Sequence, residues 1–338
     1  MKARAAARRL ARAATMLATV LSPVTGALAA ELGLITGGER GTYFQFGQDL
    51  RKLARPSGIS VIVHPSNGAV DNVVAVSRRP GIQLGIVQSD VLAFVAEQAS
   101  NPAVTRIAQG LRLVFPLYDE EIHVLARREI AAFDQLAGKR VAIGREGSGT
   151  FLTARWLFHL AGVAPDEMLP VDAPEALGQL KAGRIDALVY VASQPVALFQ
   201  RQVRPEDGLA LIPIVSKSIL DVYAAAEIPA EAYGWHATPV STVAVKAVLV
   251  SSDTHAQDCE LIGRFARQIA GGFEWLTQHG HPKWKRVDLS APLRGWEQYD
   301  CVRKYVGKPA EAESPAASTA ERNPVSDAIK GALDSAER

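Results

Sequence analysis

The chain has 338 residues, 48% hydrophobic and 21% charged, with 37 Lys and Arg against 35 Asp and Glu. That length exceeds one ordinary domain and predicts two lobes, while the composition excludes a disordered chain. The near-balanced charge offers no basic surface for nucleic acid.

Residues 1–30 read as a secretory signal peptide. Lys2, Arg4, Arg8, Arg9 and Arg12 form a basic start, Ala13 to Leu28 is apolar and small, and Ala27-Leu28-Ala29 fits an A-x-A cleavage site. An uncleaved anchor is the alternative, opposed by Ser22-Pro23 and Gly26, which leave the apolar run short of the roughly 20 residues that span a bilayer. Removing five basic and no acidic residues leaves 32 against 35, a net of −3, so the mature chain is mildly acidic.

Leu32 to Thr36 predicts a short buried strand, Gly37, Gly38 and Gly41 a tight turn, and Tyr43, Phe46, Leu50 and Leu53 a helix. Such a turn lets the backbone approach a solute closely, and the unpaired first amides of the helix make it an anion site. Strand and helix then alternate: Ile59 to His64, Val70 to Val76, Gln83 to Gln88, Val91 to Gln98. This pattern predicts a parallel sheet with crossover helices and sets Thr36-Gly-Gly, Ser66-Asn67-Gly68 and Gln88-Ser-Asp90 on one rim. Asp71 and Asp90 stand at helix starts and read as caps.

Leu111 to Ala126 holds two apolar runs broken by Tyr118-Asp-Glu-Glu121, read as the first crossing between lobes. A second turn and helix follow at Arg140 to Thr150 and on to about Leu160, and a strand at Ile185 to Val191 ends in Ala192-Ser193-Gln-Pro. Leu209 to Val215 is expected as a strand, Ser241 to Val250 as the return crossing, and His255 to Leu276 as one long helix. The expected organisation is lobe I over 31–120 and 241–308, lobe II over 121–240, and a disordered tail over 309–338, within which Val325, Ile329 and Leu333 could form one apolar stripe. Cys259 and Cys301 form a disulfide or stay as buried thiols; the sequence leaves both open.

The two turns are expected to face each other across a cleft and hold one small anion. In the second, either Ser148 or Thr150 caps the helix, and the other hydroxyl joins the amides of Gly147 to Thr150 as a ligand. Tyr43 is a core aromatic or a ligand to the cleft, and Gln88 ends a strand at its rim. Arg40 and Arg145, each beside a glutamate, are solvated lips or charge partners of the solute. No P-loop or G-x-G-x-x-G fits either turn, and no G-x-S-x-G or H-E-x-x-H occurs. His279-x-His281 is a weak metal spacing. The reading is therefore non-catalytic, without cofactor or metal.

The chain resembles the TAXI-type solute receptors of TRAP transporters. The likeness runs from about Leu32 to Ser252, through Thr36-Gly-Gly-x-x-Gly-Thr-Tyr43, Asn67-Gly-Ala-Val-Asp-Asn72, Gly85-Ile-Val-Gln-Ser-Asp90, Leu136-Ala-Gly-Lys-Arg-Val141, Gly147-Ser-Gly-Thr150, Ala182-Gly-Arg-Ile-Asp-Ala187 and Ile228-Pro-Ala-x-x-Tyr233. It departs at Phe44, Ser66-Asn-Gly-Ala, Ala192-Ser-Gln-Pro, Glu39-Arg40 and Arg145-Glu146. The resemblance implies a periplasmic binding protein of two α/β lobes, each a mainly parallel sheet flanked by helices, joined by two crossing strands. Such a protein closes on a small organic anion, of amino-acid or dicarboxylate type, and delivers it as a monomer to the membrane subunits of a TRAP permease. Thr36, Gly37, Gly38, Tyr43, Ser66, Asn67, Gly68 and Gln88 from one lobe, with Gly147, Ser148, Gly149, Thr150, Tyr190 and Ser193 from the other, form the expected site. The rival readings are a receptor for an ABC importer or a sensor kinase, and an enzyme on the same fold.

Overall fold

The computed structural model describes residues 30–39, 41–91, 106–107, 109–293, 296 and 298–307. The expected leader apart from Ala30, Arg40, the expected helix after Val91 and the tail lie outside the described residues.

In lobe I, β1 (Ala30–Ile35), α1 (Thr42–Ala54), β2 (Ile59–His64), α2 (Ala69–Arg78) and β3 (Leu84–Gln88) form a parallel unit with β1 in the middle. The helical spacing of Tyr43, Phe46, Leu50 and Leu53 gives α1 one apolar face, which is buried in the core shared with β1 and β3. Lobe II contains β5 (Arg140–Ala142), α3 (Gly149–Ala161), β6 (Glu167–Leu169), α4 (Ala173–Lys181), β7 (Ala187–Ala192), α5 (Ala197–Gln202), β8 (Leu209–Leu211), α6 (Lys217–Leu220) and β9 (Ala224–Ile228). Two long strands link the lobes: β4 (Leu111–Arg127) and β10 (Val240–Ser252), antiparallel to each other. Through them one mixed sheet runs in the order β2-β1-β3-β10-β4-β7-β5-β6, with β8 beside β4 and β9 beside β10.

After β10 the chain returns to lobe I as α7 (Cys259–Gly271), α8 (Phe273–His279), a 3-10 turn at Pro282–Arg286, and α9 (Asp300–Val306). Trp284 of that turn stacks on Phe46 at 4.2 Å between ring centroids, and Tyr118 lies 4.5 Å from the same ring. The C-terminal segment thus completes the first lobe's core.

Leu111 to Ala126, expected as the first crossing, is one strand, β4, whose 17 residues run through Tyr118-Asp-Glu-Glu121. Its acids are accommodated individually, with Asp119 paired to Lys246 on β10 at 2.6 Å and Glu120 and Glu121 buried with partners. One expectation needs correction: His255 to Leu276 is not one helix. A 3-10 turn covers Asp253–Asp258, and the chain breaks between α7 and α8 at Gly272. A Cβ on Gly272 would stand 2.4 Å from Leu53 Cδ1, so the break lets α1 approach closely.

The crossing is stiffened by a buried polar network. Glu121 accepts hydrogen bonds from Gln194 N at 2.8 Å and Gln194 Nε2 at 3.0 Å, and pairs with the buried Lys283 at 3.5 Å. Tyr233 Oη accepts from Val196 N at 2.8 Å and donates to His123 Nε2 at 2.8 Å. His123 Nδ1 then donates to the Glu121 carbonyl at 3.0 Å, and this network assigns the neutral tautomer. Burial pulls the His123 imidazole down to about 4.

Cys259 and Cys301 are joined as a disulfide that ties the start of α7 to α9 across 42 residues. In the chain-entropy picture a loop of that size contributes about 3–4 kcal/mol. The double variant Cys259→Ser/Cys301→Ser is therefore expected to lose about that much in urea unfolding, and an unchanged unfolding free energy would contradict it. Because the folded value of His123 lies below the ordinary 6.5, its contribution is present above that pH and lost as pH falls through about 4. Urea midpoints measured from pH 7 to pH 4 should show a loss of up to about 3 kcal/mol from this residue, and His123→Gln should flatten the slope.

Candidate functional site

Three helices begin where the lobes meet. α1 starts from Gly41 and α2 from Gly68, neither with a side-chain cap. α3 starts from Ser148, whose Oγ accepts from Phe151 N at 3.1 Å. Uncapped first turns leave backbone N–H groups and the positive end of the helix dipole for another partner.

The starts of α2 and α3 touch across the lobes. Asp71 N donates to the Gly147 carbonyl at 3.4 Å, and a Cβ on Gly149 would stand 1.5 Å from Gln88 Oε1. Only a glycine at 149 lets the Gln88 side chain lie over the first turn of α3. The α1 start is connected by a different route. Tyr43 Oη donates to Glu120 Oε2 at 2.7 Å, and the Gln88 side chain lies close enough to the same carboxyl to favour its ionised form. The order Tyr43, Glu120, Gln88, Gly149 thus runs from the α1 start to the α3 start.

Gly147 to Thr150 directly meets the α2 start and Gln88, while Gly37 is bonded to Ser66 in the loop that precedes α2. Ser66 N donates to the Gly37 carbonyl at 3.4 Å, and a Cβ on Gly38 would meet nothing within 4 Å.

The other expected residues divide into braces and lining. Thr36 is buried and donates to the His64 carbonyl at 3.0 Å, while its own carbonyl accepts from Ser66 Oγ at 2.6 Å and Asn72 Nδ2 at 2.5 Å. Thr36 and Ser66 therefore shape the loop. Both hydroxyls of the second turn are engaged: Ser148 caps, and Thr150 Oγ1 accepts from Val191 N at 3.2 Å, anchoring the end of β7. Asn67 donates to Asp71 at 2.7 Å and, with Arg145, lies exposed; Arg145 pairs with Asp172 and reaches Asn67 Oδ1 at 3.4 Å, an inter-lobe contact at the lip. Gln88 Oε1 and Ser193 Oγ are buried with no hydrogen-bond partner among the described residues. Tyr190 lies close enough for the Glu120 charge to act on its phenol, which burial pushes up to about 12.

Sequence reasoning missed the acids. Glu120 is 4% exposed, and burial pushes its carboxyl up to about 8 against the opposing effect of Tyr43 and Gln88. Asp90, read as a cap, does accept from Val91 N at 2.9 Å, but it also takes hydrogen bonds from Thr153 at 2.6 Å and Tyr223 at 3.1 Å, both on lobe II. Burial raises its carboxyl above the usual range. The available signal was the acidic interruption of an otherwise apolar crossing strand. Asp71 caps nothing: Gly68 is the N-cap of α2.

Among the described residues, no group of three or more His, Cys, Asp or Glu is arranged to hold a metal ion, and no helix is long and apolar enough to cross a membrane. A solved structure titled only as a periplasmic transporter is similar over 92% of this chain and 97% of its own, with a TM-score of 0.54 at 12% identity. A Xanthomonas citri protein solved with ATP bound gives a TM-score of 0.49 at 11% identity, over 90% of this chain and 98% of that one. A Candida albicans gene product described as having the generic periplasmic-binding-protein fold gives 0.48 at 11% identity, over 90% of each chain. The fold is thus the two-lobed α/β arrangement of periplasmic binding proteins. The profile of the NMT1-like family matches residues 34–262, more than half of the chain, and the chain belongs to that family.

Proposed function

We propose that this protein is an extracytoplasmic receptor that closes its lobes on a small organic anion and delivers it to a TRAP-type membrane permease. The observation that carries the reading is the meeting of the α2 and α3 starts from opposite lobes beside Gln88, with Tyr43 of the α1 first turn reaching Glu120. Backbone donors at the first turns of α1, α2 and α3 suit a carboxylate. Three or four charge-assisted hydrogen bonds of about 1.5–3 kcal/mol each suffice for micromolar binding, about −8 kcal/mol. Closure follows when the solute gains contacts from both lobes, because only a difference in affinity between open and closed forms shifts that equilibrium.

The permease assignment rests on the resemblance to TAXI-type receptors over Leu32 to Ser252, and the periplasmic location on the basic and apolar leader. The protein is read as monomeric and non-catalytic. The two hydroxyls nearest the second turn are already engaged, Ser148 as a cap and Thr150 at Val191 N.

Isothermal calorimetry against amino acids and dicarboxylates is expected to find micromolar binding for at least one, and Gly149→Ala is expected to weaken it by about tenfold or more. The added methyl would displace Gln88, while alanine is a better helix former than glycine, so the unfolding midpoint should not fall. No binding across the panel, or equal affinity in Gly149→Ala, would contradict this seat. Uptake into vesicles bearing the partner permease should follow an imposed ion gradient without ATP; dependence on ATP would overturn the TRAP assignment.

A further inference from the structure

Three buried carboxylates lie at or beside the crossing, and they are partnered differently. Glu121 has a cation, Lys283, and the amide groups of Gln194. Asp90 has two hydroxyls and a backbone amide, which bolt lobe I to lobe II. Glu120 accepts one hydrogen bond, from Tyr43, against three at Asp90, and like Asp90 it makes no ion pair among the described residues. A buried acid without a cation is held in its neutral form until a positive charge arrives beside it.

The surroundings of Glu120 suit a positively charged nitrogen. The phenols of Tyr43, Tyr118 and Tyr190 lie near enough to feel its charge, and aromatic faces and phenol oxygens attract cations. Asp90 and Glu121 add negative field from the ends of β3 and the middle of β4. The Gln88 carboxamide lies between this acid and the α3 start: its Oε1 is over Gly149, and it is near enough to Glu120 to favour the ionised carboxyl. An acceptor for an ammonium group and a set of donors for a carboxylate are thus separated by little more than one carboxamide. An α-amino acid presents those two groups on one carbon.

We propose that the solute carries a protonated amino group, as an α-amino acid does, and that Glu120 is the residue selecting it over the corresponding carboxylates that lack one. This rests on the receptor reading above and narrows its solute class. In the solute-free site Glu120, pushed up to about 8, is mostly protonated at pH 7. An arriving ammonium favours the ionised form, so binding releases a proton and strengthens as pH rises from 6 to 8. A second carboxylate held by the protonated acid would show the opposite slope. The groups facing Glu120 are Tyr43 on α1, Tyr118 and Glu121 on β4, Tyr190 on β7, and Gln88 and Asp90 at the end of β3.

The test is calorimetry on the purified protein with L-glutamate, L-leucine and L-alanine against glutarate, 4-methylpentanoate and propionate. At least one amino acid should bind about tenfold or more tightly than its counterpart without the amino group, and the isosteric Glu120→Gln should abolish most of that preference. The wild-type affinity for that amino acid should rise by about tenfold between pH 6 and pH 8, a measurement that does not depend on the variant's folding. Equal or tighter binding of the counterpart, affinity falling with pH, or an undiminished preference in Glu120→Gln would overturn the inference while leaving a carboxylate receptor in place. Failure of all six probes to bind would overturn both.

Discussion

The arrangement of the whole molecule follows from the cost of burying carboxylates at the junction of two lobes. Asp90, Glu120 and Glu121 are each less than a tenth exposed, and each is satisfied by groups brought from elsewhere in the chain. Lys283 comes from the C-terminal turn, Thr153 and Tyr223 from lobe II, and Tyr43 from the first helix. An acid left without such partners would oppose folding by several kcal/mol, so these partners fix where the elements can sit. At Glu121 and His123 the network joins main-chain and side-chain groups, with Gln194 Oε1 left buried and unpartnered among the described residues. Gln88 Oε1 and Ser193 Oγ are buried without a partner among the described residues, and these are the groups the proposed solute would meet.

A division of labour among glycines and hydroxyls supports this. The second turn resembles a ligand grip by composition, yet Ser148 and Thr150 serve the protein itself, capping α3 and anchoring β7. What remains for a solute is main chain at the first turn of α3, buried beneath the Gln88 side chain that the absence of a side chain at Gly149 admits. Thr36 and Ser66 do the same work on the other lobe, holding the loop that precedes α2.

Much of the fold was legible in the sequence because it is encoded locally. The strand, glycine turn and helix from Leu32 to Leu50 announce themselves by apolar spacing, and Ser148 by its place before a helical run. The acidic site was not legible, because its partners are distant: Tyr43 lies 77 residues from Glu120, and Lys283 162 from Glu121. The interrupted helix after His255 was hidden for a related reason, since the close approach of Leu53 at Gly272 is a tertiary contact. Periodicity continued across Gly272, where a side chain would collide with Leu53.

The central claim is that a solute sits between Glu120 and the first turn of α3, in contact with both lobes. A crystal structure of the protein with the solute it retains through gentle purification tests this most directly. The solute should accept hydrogen bonds from main-chain amides at Gly149 or Thr150 and touch the side chains of Gln88 and Glu120. A solute bound elsewhere, with Gln88 still lying over Gly149 and Glu120 bonded only to Tyr43, would contradict it.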